Sequence, residues 1–237
     1  MAFGKLYLLP VPLAENTAPK VLPAAQTAII NRIKHYVVEN EKTARRWLKE
    51  MGLQTPQSEL DILVFDKRSD KHQLAAYFKA LKEGHEVGLM SEAGCPGVAD
   101  PGAELVAEAH RLGIPVIPLV GPSSILLALM ASGFNGQGFA FQGYLPIDKA
   151  DRSRKLKELE SLSERFNQTQ IFIETPFRNN QLMDEIMRSC HPNTQICVAC
   201  DITDENEFIQ TKTVALWKKE MPELHKRPAI FLLYKKA

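Results

Sequence analysis

The sequence predicts an α/β protein built from two α/β domains, and three observations lead there. Short apolar strands alternate with helical stretches along nearly the whole chain, the pattern of βα units. At 237 residues the chain exceeds the usual size of one domain and suits two. A glycine- and proline-rich stretch, Ser91-Glu92-Ala93-Gly94-Cys95-Pro96-Gly97-Val98-Ala99-Asp100-Pro101-Gly102, joins an apolar strand over 85–90 to a helical pattern over 103–112. Open α/β sheets bind their ligands at such strand-to-helix connections. The boundary between the domains is expected at 118–121, giving an N-terminal α/β domain over 1–119 and a C-terminal α/β domain over 120–237.

Taken in order, residues 6–9 form an apolar strand that ends in Pro10-Val11-Pro12, and a helix is expected over 24–33. A second strand over 35–38 leaves Glu39-Asn40 at its C-terminal end. Helix 41–51 follows, with Ala44, Leu48 and Met51 on one side and Gly52 as its stop. The third strand spans 61–65, and Leu74, Tyr77, Phe78 and Leu81 mark an amphipathic helix over 70–81. A strand over 114–120 runs into Gly121-Pro122-Ser123-Ser124 and an apolar helix over 125–131. The second half is expected to contain strands at 139–141, 170–173, 195–200 and 229–234, with helices at 152–165, 179–189 and 214–220. The alternation argues for parallel sheet.

Bulk properties narrow the function classes. Hydrophobic residues make up 45% and charged residues 24% of the chain, ordinary globular values that argue against long disordered segments. A net charge of +1 gives no global attraction to nucleic acid, so any RNA contact must come from a local patch. Neither a signal-peptide core nor an apolar run of about 18 residues is present, so a cytoplasmic protein without membrane association is expected. Cys197-Val198-Ala199-Cys200 has CxxC spacing without a second pair to complete a zinc site, and no metal is expected.

The 91–102 stretch admits two readings. Its glycines permit positive φ and close approach to a ligand, and its prolines stiffen the rest, which together make a main-chain cradle. It also fits a plain connection with Asp100 as helix N-cap and Pro101 at the first helical position. Gly121-Pro122-Ser123-Ser124 offers backbone N–H groups and hydroxyls at a helix start. Glu174 ends a buried-looking strand. Lys149, Arg152, Arg154 and Lys155 crowd a helix start against its dipole, which suits either phosphate contact or a solvated face. Asp201, Asp204, Glu205 and Glu207 match no calcium loop. No GxSxG, HExxH, GxxxxGK[ST] or GxGxxG motif supports hydrolase, nucleotide triphosphatase or ordinary dinucleotide chemistry.

Five segments in order carry a family resemblance. They are the 91–102 stretch, Gly121-Pro122-Ser123-Ser124, Phe141-Gln142-Gly143-Tyr144-Leu145-Pro146, Glu174-Thr175-Pro176 and Arg227-Pro228-Ala229-Ile230. Together they resemble the tetrapyrrole methylase superfamily, and within it the bacterial ribosomal RNA small-subunit cytidine 2′-O-methyltransferase branch, whose central motif reads S-D-A-G-T-P-G-I-S-D-P-G. Here Glu92, Cys95, Val98 and Ala99 depart from that motif, while its glycines and prolines keep their places. Val11-Pro12-Leu13-Ala14-Glu15-Asn16 stands for T-P-I-G-N, Glu39-Asn40-Glu41-Lys42 for E-D-T-R, and Phe177 for the histidine of S-P-H-R, with Arg178 retained.

The resemblance implies two α/β domains with S-adenosylmethionine bound in the cleft between them, and a homodimer. It assigns Ser91, Glu92, Ala93, Gly94, Ser123, Ser124, Pro228 and Ala229 to the methyl donor. The acceptor it implies is RNA, at a ribose 2′-hydroxyl, with ribosomal RNA as the partner. A small-molecule acceptor, or a non-catalytic binding module on the same fold, is the alternative. A 2′-hydroxyl acceptor benefits from a base, for which Glu39 and Glu174 are the candidates.

Overall fold

A computed structural model describes residues 2–69 and 74–236, and the chain divides into two units, Met1–Ser123 and Ser124–Ala237. In the first unit β1 (Leu6–Leu8), β2 (His35–Val38), β3 (Asp61–Val64), β4 (Val87–Met90) and β5 (Val116–Pro118) form one sheet in the order β3-β2-β4-β1-β5. Every pairing in it is parallel. The central strands are apolar without interruption because both of their faces are covered, and all four residues of β4 are buried.

Alternation along the strands feeds two cores. Tyr7, Tyr36, Val38 and Met90 pack with residues of α1 (Ala18–Val21), α2 (Ala25–Ile30) and α3 (Glu41–Glu50) on one face. Leu6, Val37, Val87 and Leu89 pack on the other, with α4 (Leu74–Tyr77), α5 (Lys79–Lys82) and α6 (Gly102–Arg111). Each fully buried Leu, Ile or Phe there contributes about 1.5–3 kcal/mol of transfer free energy. Gly88 sits mid-strand because a Cβ would come within 2.6 Å of Leu9 Cδ1 and 2.8 Å of the Tyr36 ring. The helix expected over 24–33 is shorter, and Pro23 separates α2 from α1. Of the helix expected over 70–81, residues 70–73 lie outside the described residues, and the rest forms α4 and α5.

The second unit starts with α7 (Ser124–Ser132). It continues through β6 (Phe139–Tyr144), α8 (Lys149–Phe166), β7 (Thr169–Ile173), α9 (Asn179–Ser189), β8 (Gln195–Cys200), β9 (Phe208–Thr213), α10 (Val214–Trp217) and β10 (Ala229–Tyr234). Its sheet order is β6-β7-β10-β8-β9. The expected parallel sheet is corrected here: only β6 and β7 pair in parallel, and β7-β10, β10-β8 and β8-β9 are antiparallel. Residues 201–207 are too short for a crossover, so β9 folds straight back on β8. β10 then enters between β7 and β8 with the opposite direction to both. One apolar core joins α8, α9 and α10 to this sheet through Leu156, Leu182, Ile186, Trp217, Phe172, Val198 and Phe231. α7 packs against β8, β9 and β10.

Sequence clusters outside the sheet ends have structural roles. Asp148 caps α8 by accepting from Asp151 N at 2.9 Å. Of the cations at that helix start, Arg154 pairs with Asp151, Lys155 with Glu158 at 2.8 Å, and Arg152 is buried with Nη1 3.3 Å from the Ile147 carbonyl. Asp201 holds Arg227 at 2.6 Å, and Glu207 accepts from Thr203 N. All four cysteines are free thiols, and the three-residue spacing of Cys197 and Cys200 on a strand sends them to opposite faces. Among the described residues no group of three or more His, Cys, Asp or Glu side chains is placed to hold a metal.

Candidate functional site

In the first unit β1 and β4 lie side by side, yet the chain leaves β1 toward β2 and leaves β4 toward β5 on the other side. This is a topological switch point, where open parallel sheets bind ligands outside the carboxyl ends of their strands. Three loops converge there: 9–17 after β1, 91–101 after β4, and 119–123 after β5.

Backbone hydrogen bonds and close packing fasten the three together. Val11 and Gly94 form an isolated antiparallel bridge, Val11 N to Gly94 O at 2.9 Å and Gly94 N to Val11 O at 3.2 Å. Gly94 has φ +71, and a Cβ there would lie 3.2 Å from Leu13 Cδ2 and 3.3 Å from Pro122 O. A Cβ at Gly121 would come within 2.1 Å of Pro10 Cβ. Cys95 Sγ lies 3.3 Å from the Pro122 carbonyl and donates to it. These glycines are therefore required for loop-on-loop contact.

Ser91, Glu92, Ala93 and Gly94 head the central loop. The Ser91 hydroxyl turns inward and donates to the Ala93 carbonyl at 3.1 Å, which shapes the turn. Glu92 and Ala93 are exposed at its crest. Trp47, almost fully buried on α3, donates its indole N–H to the Glu92 carbonyl at 2.9 Å. Asp100 accepts from Gly97 N at 2.8 Å and Gly102 N at 2.6 Å. It thus closes the loop and satisfies the first N–H of α6, while Pro101 occupies the N-cap position. Gly97 and Ala99 also have positive φ, +83 and +63. For Ala99 this is a strained position of the kind that collects at ligand sites.

Glu39 follows β2 at the same edge of the sheet, and its N–H donates to Met90 O. Partial burial raises its pKa above the ordinary carboxylate value, the charges of Glu92 and Asp100 add to the rise, and a backbone hydrogen bond from Glu92 and the charge of Lys67 oppose it. Burial also raises Asp100, against the two N–H groups that hold it. Three acids from two separate stretches of sequence thus share one edge, suited to a cationic ligand. Their convergence, and the parts played by Val11 and Trp47, are not legible in local sequence.

In the second unit β7 and β8 point the same way, and β10 begins where both end. Glu174 follows β7 with its side chain only 1% exposed. Its Oε1 accepts from Thr175 N and from Arg178 Nη2, both at 2.6 Å. Asn179 donates to the Arg227 carbonyl at 2.7 Å, and Asp201 N donates to Pro228 O at 2.9 Å. Pro228 and Ala229 lie at the same sheet end as Glu174. Four buried polar atoms there, Glu174 Oε2, Arg178 Nε, Asn179 Oδ1 and Thr203 Oγ1, have no hydrogen-bond partner among the described residues. Buried polar atoms are as a rule hydrogen-bonded to protein, to ordered water or to a bound group. Ser123 ends the first unit and Ser124 opens α7 in the second.

Comparison with known proteins bears on what these sheet ends serve. Residues 18–216 match the sequence profile of the tetrapyrrole (corrin/porphyrin) methylases. Proteins called ribosomal RNA small subunit methyltransferase I are similar over most of their length. The one from Thermotoga maritima is 29% identical, covering 92% of this chain and 94% of its own. That from Bacillus subtilis is 32% identical, covering 87% of this chain and 67% of its own. Among solved structures, the methyltransferase CobJ matches with a TM-score of 0.65 at 18% identity, covering 98% of this chain and 94% of its own. A uroporphyrin-III C-methyltransferase from Thermus thermophilus, complexed with S-adenosylhomocysteine, matches with a TM-score of 0.58 at 16% identity over 98% of both chains. At these identities the structural matches establish the shared fold.

Proposed function

From a chain that belongs to the tetrapyrrole methylase family, and is an S-adenosylmethionine-dependent methyltransferase, we propose an enzyme that methylates ribosomal RNA at a ribose 2′-hydroxyl. The observation that carries the donor half of this reading is the convergence of three loops at the switch point of the first sheet. The likeness to ribosomal RNA small subunit methyltransferases over most of the chain supports the acceptor half.

The residues present fit the donor. S-adenosylmethionine carries a sulfonium and an ammonium, and the edge with Glu39, Glu92 and Asp100 is acidic. Ser91, Glu92, Ala93, Gly94 and Ser123 hold it from the first unit. The family resemblance also assigns Ser124, Pro228 and Ala229 to the donor, and the last two lie at the strand ends that carry Glu174 and Asn179. When bound, the donor supplies an electrophilic methyl group. Glu39 is the base that takes the acceptor hydroxyl proton, because its raised pKa moves it toward neutrality. Glu174, buried and committed to Arg178, positions that guanidinium.

Two further features belong to this reading. The protein acts in the cytoplasm, a compartment suited to its four free thiols. It is a homodimer joined through α7, whose Leu126 and Met130 are 51% and 79% exposed one helical turn apart. Sedimentation tests the dimer, and L126E/M130E is expected to be monomeric. Calorimetric titration with S-adenosylmethionine, followed by tritium transfer from labelled donor into fractionated RNA and metabolite pools, tests the function. Label in small-subunit ribosomal RNA supports it; label confined to metabolites, or no donor binding, overturns it.

A further inference from the structure

The acidic edge of the first unit repels RNA phosphates, so an RNA acceptor needs other ground. The carboxyl ends of β6 and β7 supply it. β6 carries an extra residue between Phe141 and Tyr144, with Gly143 at φ +66, so that Tyr144 falls opposite Ile173. Bulges of this kind re-aim a side chain. Here the re-aimed residue is Tyr144, 55% exposed and set opposite Ile173, the residue before the Glu174 that holds Arg178.

Phe177, next to Arg178, is 65% exposed, and its ring meets the edge of His225 at 6.1 Å. The main chain beneath is fixed, since Lys226 N donates to Pro176 O at 3.0 Å and Leu224 N to Asn180 Oδ1 at 2.9 Å. Arg178 itself is held by Glu174 at 2.6 Å. Two largely exposed aromatic side chains therefore stand at the strand ends that also hold Arg178, and none of Tyr144, Phe177 or His225 belongs to the apolar core of this unit.

Resting on the RNA reading above, we infer that Tyr144, Phe177 and Arg178 form a platform for unpaired nucleotides of the acceptor RNA, the two rings stacking on bases and the guanidinium meeting a phosphate. Single-stranded nucleic acid is bound by combinations of exposed aromatic faces, on which bases stack, and cations that meet the backbone. The choice of unpaired nucleotides over duplex follows from the exposed ring faces, which a paired base leaves unused.

Fluorescence anisotropy with a labelled single-stranded oligoribonucleotide tests it, with calorimetric titration of S-adenosylmethionine on the same samples. Phe177→Leu and Tyr144→Leu each weaken oligonucleotide binding at least about fivefold, the double variant more, and Phe177→Trp retains it. Donor affinity stays unchanged in all of them. Leucine variants that bind the oligonucleotide as the parent does overturn the platform and leave the RNA reading standing. A parent protein that binds donor but no RNA overturns both.

Discussion

Gly94→Ala tests whether the converging loops act as one rigid unit. The residue has φ +71, and a Cβ in that left-handed region costs about 1–2 kcal/mol. Its new methyl would lie 3.3 Å from the Pro122 carbonyl, so that loop must also give by a few tenths of an ångström. Escape to ordinary backbone angles would break the two hydrogen bonds of the Val11 bridge, at about 0.5–1.5 kcal/mol each. Both routes lead to a loss of about 1–3 kcal/mol, and both reshape the donor wall. Gly133→Ala is the control: its φ is +74, but nothing lies within 4 Å of the added Cβ. Urea unfolding is expected to show both variants destabilised. Calorimetry with S-adenosylmethionine is expected to show a several-fold loss of affinity for Gly94→Ala alone. Equal donor affinity in the two variants would refute the claim that this loop is the donor wall.

Glu39→Gln should abolish methyl transfer yet raise the melting temperature at neutral pH. The folded-state pKa of Glu39 is raised, so its ionised form opposes folding, and the gain fades as pH falls through that pKa and the parent side chain becomes protonated too. Melting curves across pH 4–8 check the sign. Arg178→Met strands the buried Glu174 carboxylate and is expected to cost about 3 kcal/mol in urea unfolding. The double variant E174Q/R178M recovers most of that loss. Incubation with a chelator leaves the melting temperature unmoved, since Cys197 and Cys200 face opposite ways and metal analysis should return no zinc.

Sequence carried the first unit well because its central strands are buried on both faces, and so read as apolar runs such as 87–90. The second unit was harder for a physical reason: the direction of a strand is not written in its own residues. The run 229–234 reads the same whether it pairs parallel or antiparallel, and the seven-residue connection after Cys200 is what decides the topology. β9 carries no clear strand signature because Phe208–Thr213 is half-buried and largely polar, behind an acidic loop. At the site, glycines announced the loops, since close approach and positive φ leave a residue-type signature. The meeting of Glu39 with Glu92 and Asp100 leaves none, because it depends on strand order. Likewise Tyr144 acquires meaning only once a bulge sets it opposite Ile173, at the strand end that leads to Glu174 and Arg178.

The atom that receives the methyl group decides between a ribose acceptor and any other. Ribosomal RNA labelled by the enzyme with tritiated S-adenosylmethionine can be hydrolysed in alkali, which cleaves every linkage except one whose 2′-oxygen is blocked. The predicted result is label in an alkali-resistant dinucleotide. Label released as mononucleotide, or found only in small molecules, would contradict it.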